Sequence, residues 1–131
     1  MYYFYLIIFG ILGAVSRYSL ETVFHIQAFP LATLLVNLLG CFLLAFTTQF
    51  LIWVPFLSAR FVSAIGTGFI GSFTTFSTFA LETFQLLHAG HYVAAAGYLL
   101  FSGLGGLAAC TLGLQVSKQL LTRKRRTAHV N

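Results

Sequence analysis

The stretch G-T-G-F-I-G-S-F-T-T-F-S-T-F, residues Gly66 to Phe79, decides the fold of this chain. It lies inside an apolar segment that is long enough to cross a bilayer, for which about 20 residues suffice. The residues that weaken a helix within it are Gly66, Gly68, Gly71, Thr74, Thr75, Ser77 and Thr78. A membrane interior tolerates a broken backbone only where protein or a polar cavity satisfies its hydrogen bonds. The stretch therefore predicts a functional site in a broken membrane helix.

The composition of the whole chain is that of an integral membrane protein. Of its 131 residues, 59% are hydrophobic and only 7% are charged, which is too little charge to cover the surface of a soluble domain. The apolar residues form four blocks of about the length of a membrane span, at 3–24, 31–54, 59–87 and 92–121. We predict a single all-α transmembrane domain over residues 1–131, with four helices, the third broken near its middle, and a basic tail at 122–131.

The basic residues lie almost entirely on one side of this arrangement. Four spans place both termini on the same side, where six of the seven Lys and Arg residues lie. The exception is Arg17, inside the end of the first helix. The positive-inside rule therefore predicts cytoplasmic termini. A short basic tail directly after a membrane helix indicates a topology anchor or a contact with anionic lipid, and no nucleic-acid partner is expected.

Polar side chains within the apolar blocks are candidates for function because they are costly in a bilayer. Thr33 and Asn37 are four residues apart on the second helix, so they share a face and form a short polar track. An interhelical hydrogen bond is the alternative role for Asn37, since amides commonly join membrane helices. Tyr98 and Ser102 have the same spacing on the fourth helix and predict a second polar stripe.

Charged and aromatic residues near the break are further candidates. Arg17 and Glu21 are four residues apart and could pair at the interface, although a role for Arg17 in attracting anions stays open. Glu82 follows the glycine-rich stretch and could face an aqueous mouth or reach toward the interface. Phe76 and Phe79 would share a helix face after the break, where the positive edges of their rings could contact a small anion.

No set of residues in the sequence has the pattern of a catalytic site. There is no Ser-His-Asp or Cys-His set and no phosphate-binding loop, and the whole chain contains only two carboxylates. We therefore expect a transported ion or solute and no enzymatic activity.

Three motifs in this order resemble the Fluc (CrcB) family of fluoride channels: G-A-V-S-R-Y at 13–18, T-L-L-V-N-L-L-G-C at 33–41 and G-F-I-G-S-F-T-T-F-S-T-F at 68–79. The resemblance extends over nearly the whole chain. It implies a fluoride-selective channel that passively exports fluoride and relieves its toxicity, in the cell membrane and in particular the bacterial inner membrane. It also implies an inverted, dual-topology dimer with two pores along the subunit interface and a central structural sodium ion.

The resemblance also implies roles for individual residues. Those that match the family's fluoride pathway are Asn37, Phe76, Phe79, Thr33, Tyr98 and Ser102. The backbone carbonyls of Gly71 and Thr74 match the sodium ligands. Arg17 and Glu82 match vestibule residues.

The chain departs from the family pattern in two respects. Gly106 and Cys110 stand where a further hydroxyl is expected, which predicts a shorter polar track on the fourth helix. The strong charge bias is unusual for dual topology, so half of an obligate heterodimeric channel is an alternative to the homodimer. A small multidrug-type proton-coupled exporter is the other alternative, but it needs a carboxylate in the centre of the first helix, where residues 9–15 are apolar.

Overall fold

The structure, a computed structural model, describes residues 1–24, 29–51 and 57–128, with side chains described as far as Thr122. These residues form helices and no strand. In chain order the elements are α1 (Tyr2–Val23), α2 (Leu31–Phe50), α3 (Ala59–Ser63), a π-helix (Ala64–Ile70), α4 (Gly71–Phe73), α5 (Phe76–His88) and α6 (Tyr92–Ala128).

Four helical stretches are long and apolar enough to cross a membrane: Tyr2–Val23, Leu31–Phe50, Ala59–His88 and Tyr92–Thr122. The predicted fold class, an all-α membrane protein with four spans, is confirmed. The predicted end of the second span, at residue 54, lies outside the described residues. α6 continues to Ala128, past the predicted end at residue 121, so the first part of the basic tail prolongs the helix.

The third span is broken near its middle, as predicted, and the break lies at Thr74 and Thr75, after the glycines of the stretch. Gly71 to Phe73 are helical, whereas Thr74 (φ −80°, ψ 155°) and Thr75 (φ −142°, ψ 121°) are extended. The two threonines end one helix and begin the next because β-branched residues favour extended backbone. The Thr75 hydroxyl also caps α5 by accepting a hydrogen bond from the Thr78 N–H at 3.2 Å.

The glycines before the break allow close packing between helices. The π-helix lies against α1, and α2 packs along most of its length against α6. A Cβ at Gly68 would lie 2.8 Å from the carbonyl oxygen of Leu6, so only glycine permits this approach. The most deeply buried large side chains include Tyr98, Val36 and Thr33, which places the core between α2 and α6 beside the broken span.

Candidate functional site

The Asn37 side chain joins α2 to the break in the third span. Its Nδ2 donates a hydrogen bond to the Thr75 carbonyl at 3.0 Å, and its Oδ1 accepts one from the Thr75 N–H at 2.9 Å. One side-chain amide therefore satisfies both backbone groups of an extended residue that is only 6% exposed. The interhelical hydrogen bonding considered for Asn37 is observed. The side-chain NH2 group has two N–H donors, so one is left for another acceptor after the bond to Thr75.

This arrangement removes the helical partners of two backbone carbonyls. In an unbroken helix the Gly71 carbonyl would accept from the Thr75 N–H, and the Thr74 carbonyl from the Thr78 N–H. Here the Thr75 N–H donates to Asn37, and the Thr78 N–H donates to the Thr75 hydroxyl. The two carbonyls predicted to bind sodium are thus among those that the break deprives of their helical donors.

Gly40 is a site residue that the sequence reasoning did not single out. A Cβ at this position would overlap the methyl carbon Cγ2 of Thr74, so the first extended residue packs directly on the backbone of α2. Gly40 lies three residues after Asn37 and therefore on the same helix face. The three-residue spacing of Asn37 and Gly40 was the signal in the sequence that could have identified Gly40. It places an amide that can bond a backbone beside a residue without a side chain, against which that backbone can pack.

A cavity of about 350 Å³ opens beside the break. It contains six of the predicted site residues, together with other residues of α2 and of the third span. The residues that line it are Asn37, Gly40, Cys41, Leu44, Gly66, Ile70, Gly71, Thr74, Thr75, Phe76, Phe79 and Ser102. Three helices thus bring the amide of Asn37, the hydroxyl of Ser102 and two phenylalanine rings to one space.

The two phenylalanine rings follow the break along α5. Their centroids are 6.0 Å apart, and the Phe79 ring lies 5.0 Å from that of Tyr98. Phe76 is 79% exposed in the single chain, so one side of the cavity is open to whatever surrounds the chain. The predicted shared face of Phe76 and Phe79 is present.

Glu82 turns inward, which differs from the predicted position at an aqueous mouth or at the interface. Its Oε1 accepts a hydrogen bond from the Thr33 hydroxyl at 2.8 Å, and its Oε2 accepts one from the Tyr98 hydroxyl at 2.7 Å. Thr33 and Tyr98 are fully buried, so these donors satisfy a carboxylate that would otherwise be costly in a membrane interior. Thr33 therefore pairs with Glu82, and its hydroxyl proton is not directed toward Asn37.

Arg17 lies apart from both groups of residues. It does not line the cavity beside the break. Its Nε and the Oε1 of Glu21 are buried and have no hydrogen-bond partner in the part of the chain that the structure describes. The expected pairing of Arg17 with Glu21 is therefore not made through these atoms.

Comparison with known proteins assigns the chain to a family. Residues 4–114 match the family model described as CrcB-like protein, Camphor Resistance (CrcB). The chain belongs to the CrcB family. It is a multi-pass membrane protein, as its four membrane-spanning helices and its membership of this family together indicate.

Curated relatives of this CrcB chain carry names that state their activity. A protein of Listeria innocua named fluoride-specific ion channel FluC 2 is 47% identical over 129 residues, covering 98% of both chains. The FluC 2 protein of Listeria monocytogenes is 46% identical over 123 residues, 94% of this chain and 95% of the relative. A fluoride-specific ion channel FluC 1 of Bacillus cereus is 49% identical over 117 residues, 87% of this chain and 85% of the relative.

Proposed function

We propose that this protein is a fluoride-selective channel that passively exports fluoride and thereby relieves fluoride toxicity, and that it is not an enzyme. The observation that carries the proposal is the similarity over most of the chain to relatives named as fluoride-specific ion channels. The cavity beside the break supports it, because hydrogen-bond donors and aromatic rings line this cavity and no lining residue carries a charge.

The donors suit an ion that holds its water tightly. Fluoride can enter a narrow path only where other donors replace the lost water, and conduction requires that these contacts be weak enough to release the ion. The Asn37 amide has an N–H beyond the one it gives to Thr75, and the Ser102 hydroxyl lines the same cavity. The edges of Phe76 and Phe79 add weak, positively polarised contacts. We assign these four residues to the fluoride pathway.

Thr33 and Tyr98 also belong to the proposed pathway, but their hydroxyl groups are bonded to Glu82 and do not face the cavity as free donors. Their hydroxyl protons are directed to Glu82, so they become available to fluoride only when they rotate away from the carboxylate. The contact between the rings of Phe79 and Tyr98, at 5.0 Å, connects this buried cluster to the cavity. Glu82 therefore acts in our proposal by positioning two donors, while Arg17 retains the proposed role at the vestibule.

Backbone oxygens at the break suit a structural sodium ion. The carbonyls of Gly71 and Thr74 have lost their helical donors, and Gly71 is exposed in the single chain. Unwound carbonyls commonly coordinate monovalent cations in broken membrane helices. When bound, sodium supplies a positive charge that lowers the cost of an anion nearby. The chain's own contribution is to hold these carbonyls in place. The two hydrogen bonds from Asn37 to the Thr75 backbone and the close contact of Gly40 with Thr74 do this.

The open side of the cavity suggests a second subunit. Phe76 is 79% exposed, and a pathway in a membrane needs a wall there that excludes lipid. We propose that an inverted copy of the chain forms this wall, in a homodimer with two pores in the bacterial inner membrane. An oppositely oriented relative, giving a heterodimer, is the alternative that the charge bias favours.

Fluoride efflux from liposomes tests the function directly. Purified protein in vesicles loaded with potassium fluoride should release fluoride when valinomycin is added, and should release no chloride under the same conditions. Fluoride flux that depends on a proton gradient would instead identify an exporter. Absence of flux from this protein alone, with flux restored by an oppositely oriented relative, would identify the heterodimer.

A further inference from the structure

Two cysteines face one another where α2 crosses α6. The Cys110 Sγ donates to the backbone carbonyl of Cys41 at 3.5 Å, and both thiols are free. Both residues are half-buried, so the pair is neither sealed in the core nor exposed on the outer surface.

Glycines hold the two helices close at this crossing. A Cβ at Gly106, one turn before Cys110, would lie 3.5 Å from the Cys41 Sγ. A Cβ at Gly113 would lie 3.1 Å from the backbone nitrogen of Phe46. Because the backbones approach so closely, the packing of the helices holds the two cysteines together at this crossing.

We propose that Cys41 and Cys110 form a two-thiol site for a soft metal ion that prefers two ligands, of which mercury(II) is the probe. Thiolate is the preferred ligand of soft metals. A zinc site would require about four ligands, and the described residues contain no group of three or more His, Cys, Asp or Glu side chains. Binding replaces the two chlorides of mercuric chloride by two thiolates and releases two protons, without oxidation or reduction.

The position of Cys41 gives such a site a consequence for transport. Cys41 lines the cavity that also contains Asn37, Phe79 and Ser102. A metal ion held by its sulfur would occupy the wall of the proposed fluoride pathway and obstruct it. This consequence rests on the proposed function, whereas metal binding itself does not.

Binding is tested first, on the full chain in detergent. Titration with mercuric chloride should end at one mercury per chain with the loss of both free thiols, measured by mass spectrometry and by thiol titration after denaturation. The Cys110→Ser variant keeps a hydrogen-bond donor for the Cys41 carbonyl. It should bind mercury about 10²–10⁴-fold more weakly, the range lost when a second, fixed ligand is removed.

The matched control is Thr111→Val, at a residue next to Cys110 whose hydroxyl, among the described residues, donates to its own helix at the Ala108 carbonyl. This variant should bind mercury as the parent does. Two mercury ions per chain, or equal affinity in the Cys110→Ser variant, would overturn the proposal. A mercury-linked dimer on a denaturing gel without reductant would also overturn it, because the thiols would then bridge separate chains.

Fluoride efflux from liposomes supplies the second readout. Mercuric chloride should inhibit the parent at concentrations about 10²–10⁴-fold lower than those that inhibit Cys110→Ser, and dithiothreitol should restore flux. Binding at one mercury per chain without any fluoride flux in untreated protein, either alone or together with an oppositely oriented relative, would refute the channel while leaving the metal site intact. Flux that persists with the site occupied would refute the placement of Cys41 in the pathway wall.

Discussion

Replacement of Asn37 by leucine tests the Asn37 clamp, by which we mean the two hydrogen bonds from the Asn37 side chain to the Thr75 backbone. Leucine has the branching of asparagine but carries methyl groups in place of the amide, so it makes neither hydrogen bond and the Thr75 N–H and carbonyl lose their partners at 2.9 Å and 3.0 Å. Thr75 is 6% exposed, which leaves little access for water. An unsatisfied buried group costs about 1–3 kcal/mol, so we expect a loss of about 2–6 kcal/mol in the free energy of unfolding.

Aspartate at the same position removes only half of the clamp. One carboxylate oxygen still accepts from the Thr75 N–H, but the other faces the Thr75 carbonyl without a proton to give. We expect Asn37→Asp to lose about 1–3 kcal/mol of stability and to abolish fluoride flux, because a carboxylate in the cavity repels the anion. The two variants thus differ in rank between the two measurements. We expect Asn37→Leu to have the lower free energy of unfolding, and Asn37→Asp to have the lower fluoride flux per folded protein.

The assay combines unfolding in mixed dodecyl maltoside and SDS micelles with fluoride efflux from liposomes. The control is Thr48→Val, because the Thr48 hydroxyl bonds within its own helix, to Leu44 and Ala45, and does not reach the break. It should unfold within about 0.5 kcal/mol of the parent. An Asn37→Leu variant as stable as this control would show that the clamp does not hold the break, and the reasoning would fail.

Three further predictions concern other residues of the site. Phe76→Ile and Phe79→Ile should each strongly reduce fluoride efflux while size-exclusion profiles stay unchanged, because isoleucine has no polarised ring edge; normal efflux in both would reject the ring-edge contact. Gly40→Ala should lower stability by about 1–3 kcal/mol, since its methyl would overlap Thr74, and an unchanged unfolding midpoint would show that the helices separate without cost. Tyr98→Phe removes a buried donor to Glu82 and should cost about 1–3 kcal/mol in the same unfolding assay; a stability equal to that of the parent would mean that Glu82 does not depend on this donor.

The membrane architecture could be predicted from the sequence because it depends on composition and length. Four apolar blocks of sufficient length leave few alternatives to four helices, since the bilayer requires every backbone group to be bonded internally. The same rule predicted that the hydroxyl-rich stretch would be a site. Spacing along one helix also predicted the shared face of Phe76 and Phe79.

The position of the break was less accessible to sequence reasoning. Glycines and hydroxyl residues across the stretch all weaken a helix, so they did not fix the position of the break, and Gly13 and Gly68 serve the close approach of α1 to the π-helix. The break occurs at Thr74 and Thr75, where Asn37, 38 residues away from Thr75, supplies the hydrogen-bond partners of the Thr75 N–H and carbonyl. Helix propensity depends on the residue and its neighbours in sequence, so it does not include a hydrogen-bond partner that is distant in sequence.

The sequence by itself determined the class of this protein, its four spans, its family motifs and the types of side chain at the site. Only the tertiary structure decided which of those side chains meet. It joined Asn37 to the broken backbone, turned Glu82 inward to Thr33 and Tyr98, and placed Cys41 beside Cys110. Periodicity gives the face on which a residue lies, but the partner on that face depends on how separate helices pack. That packing arises from contacts between residues far apart in the chain.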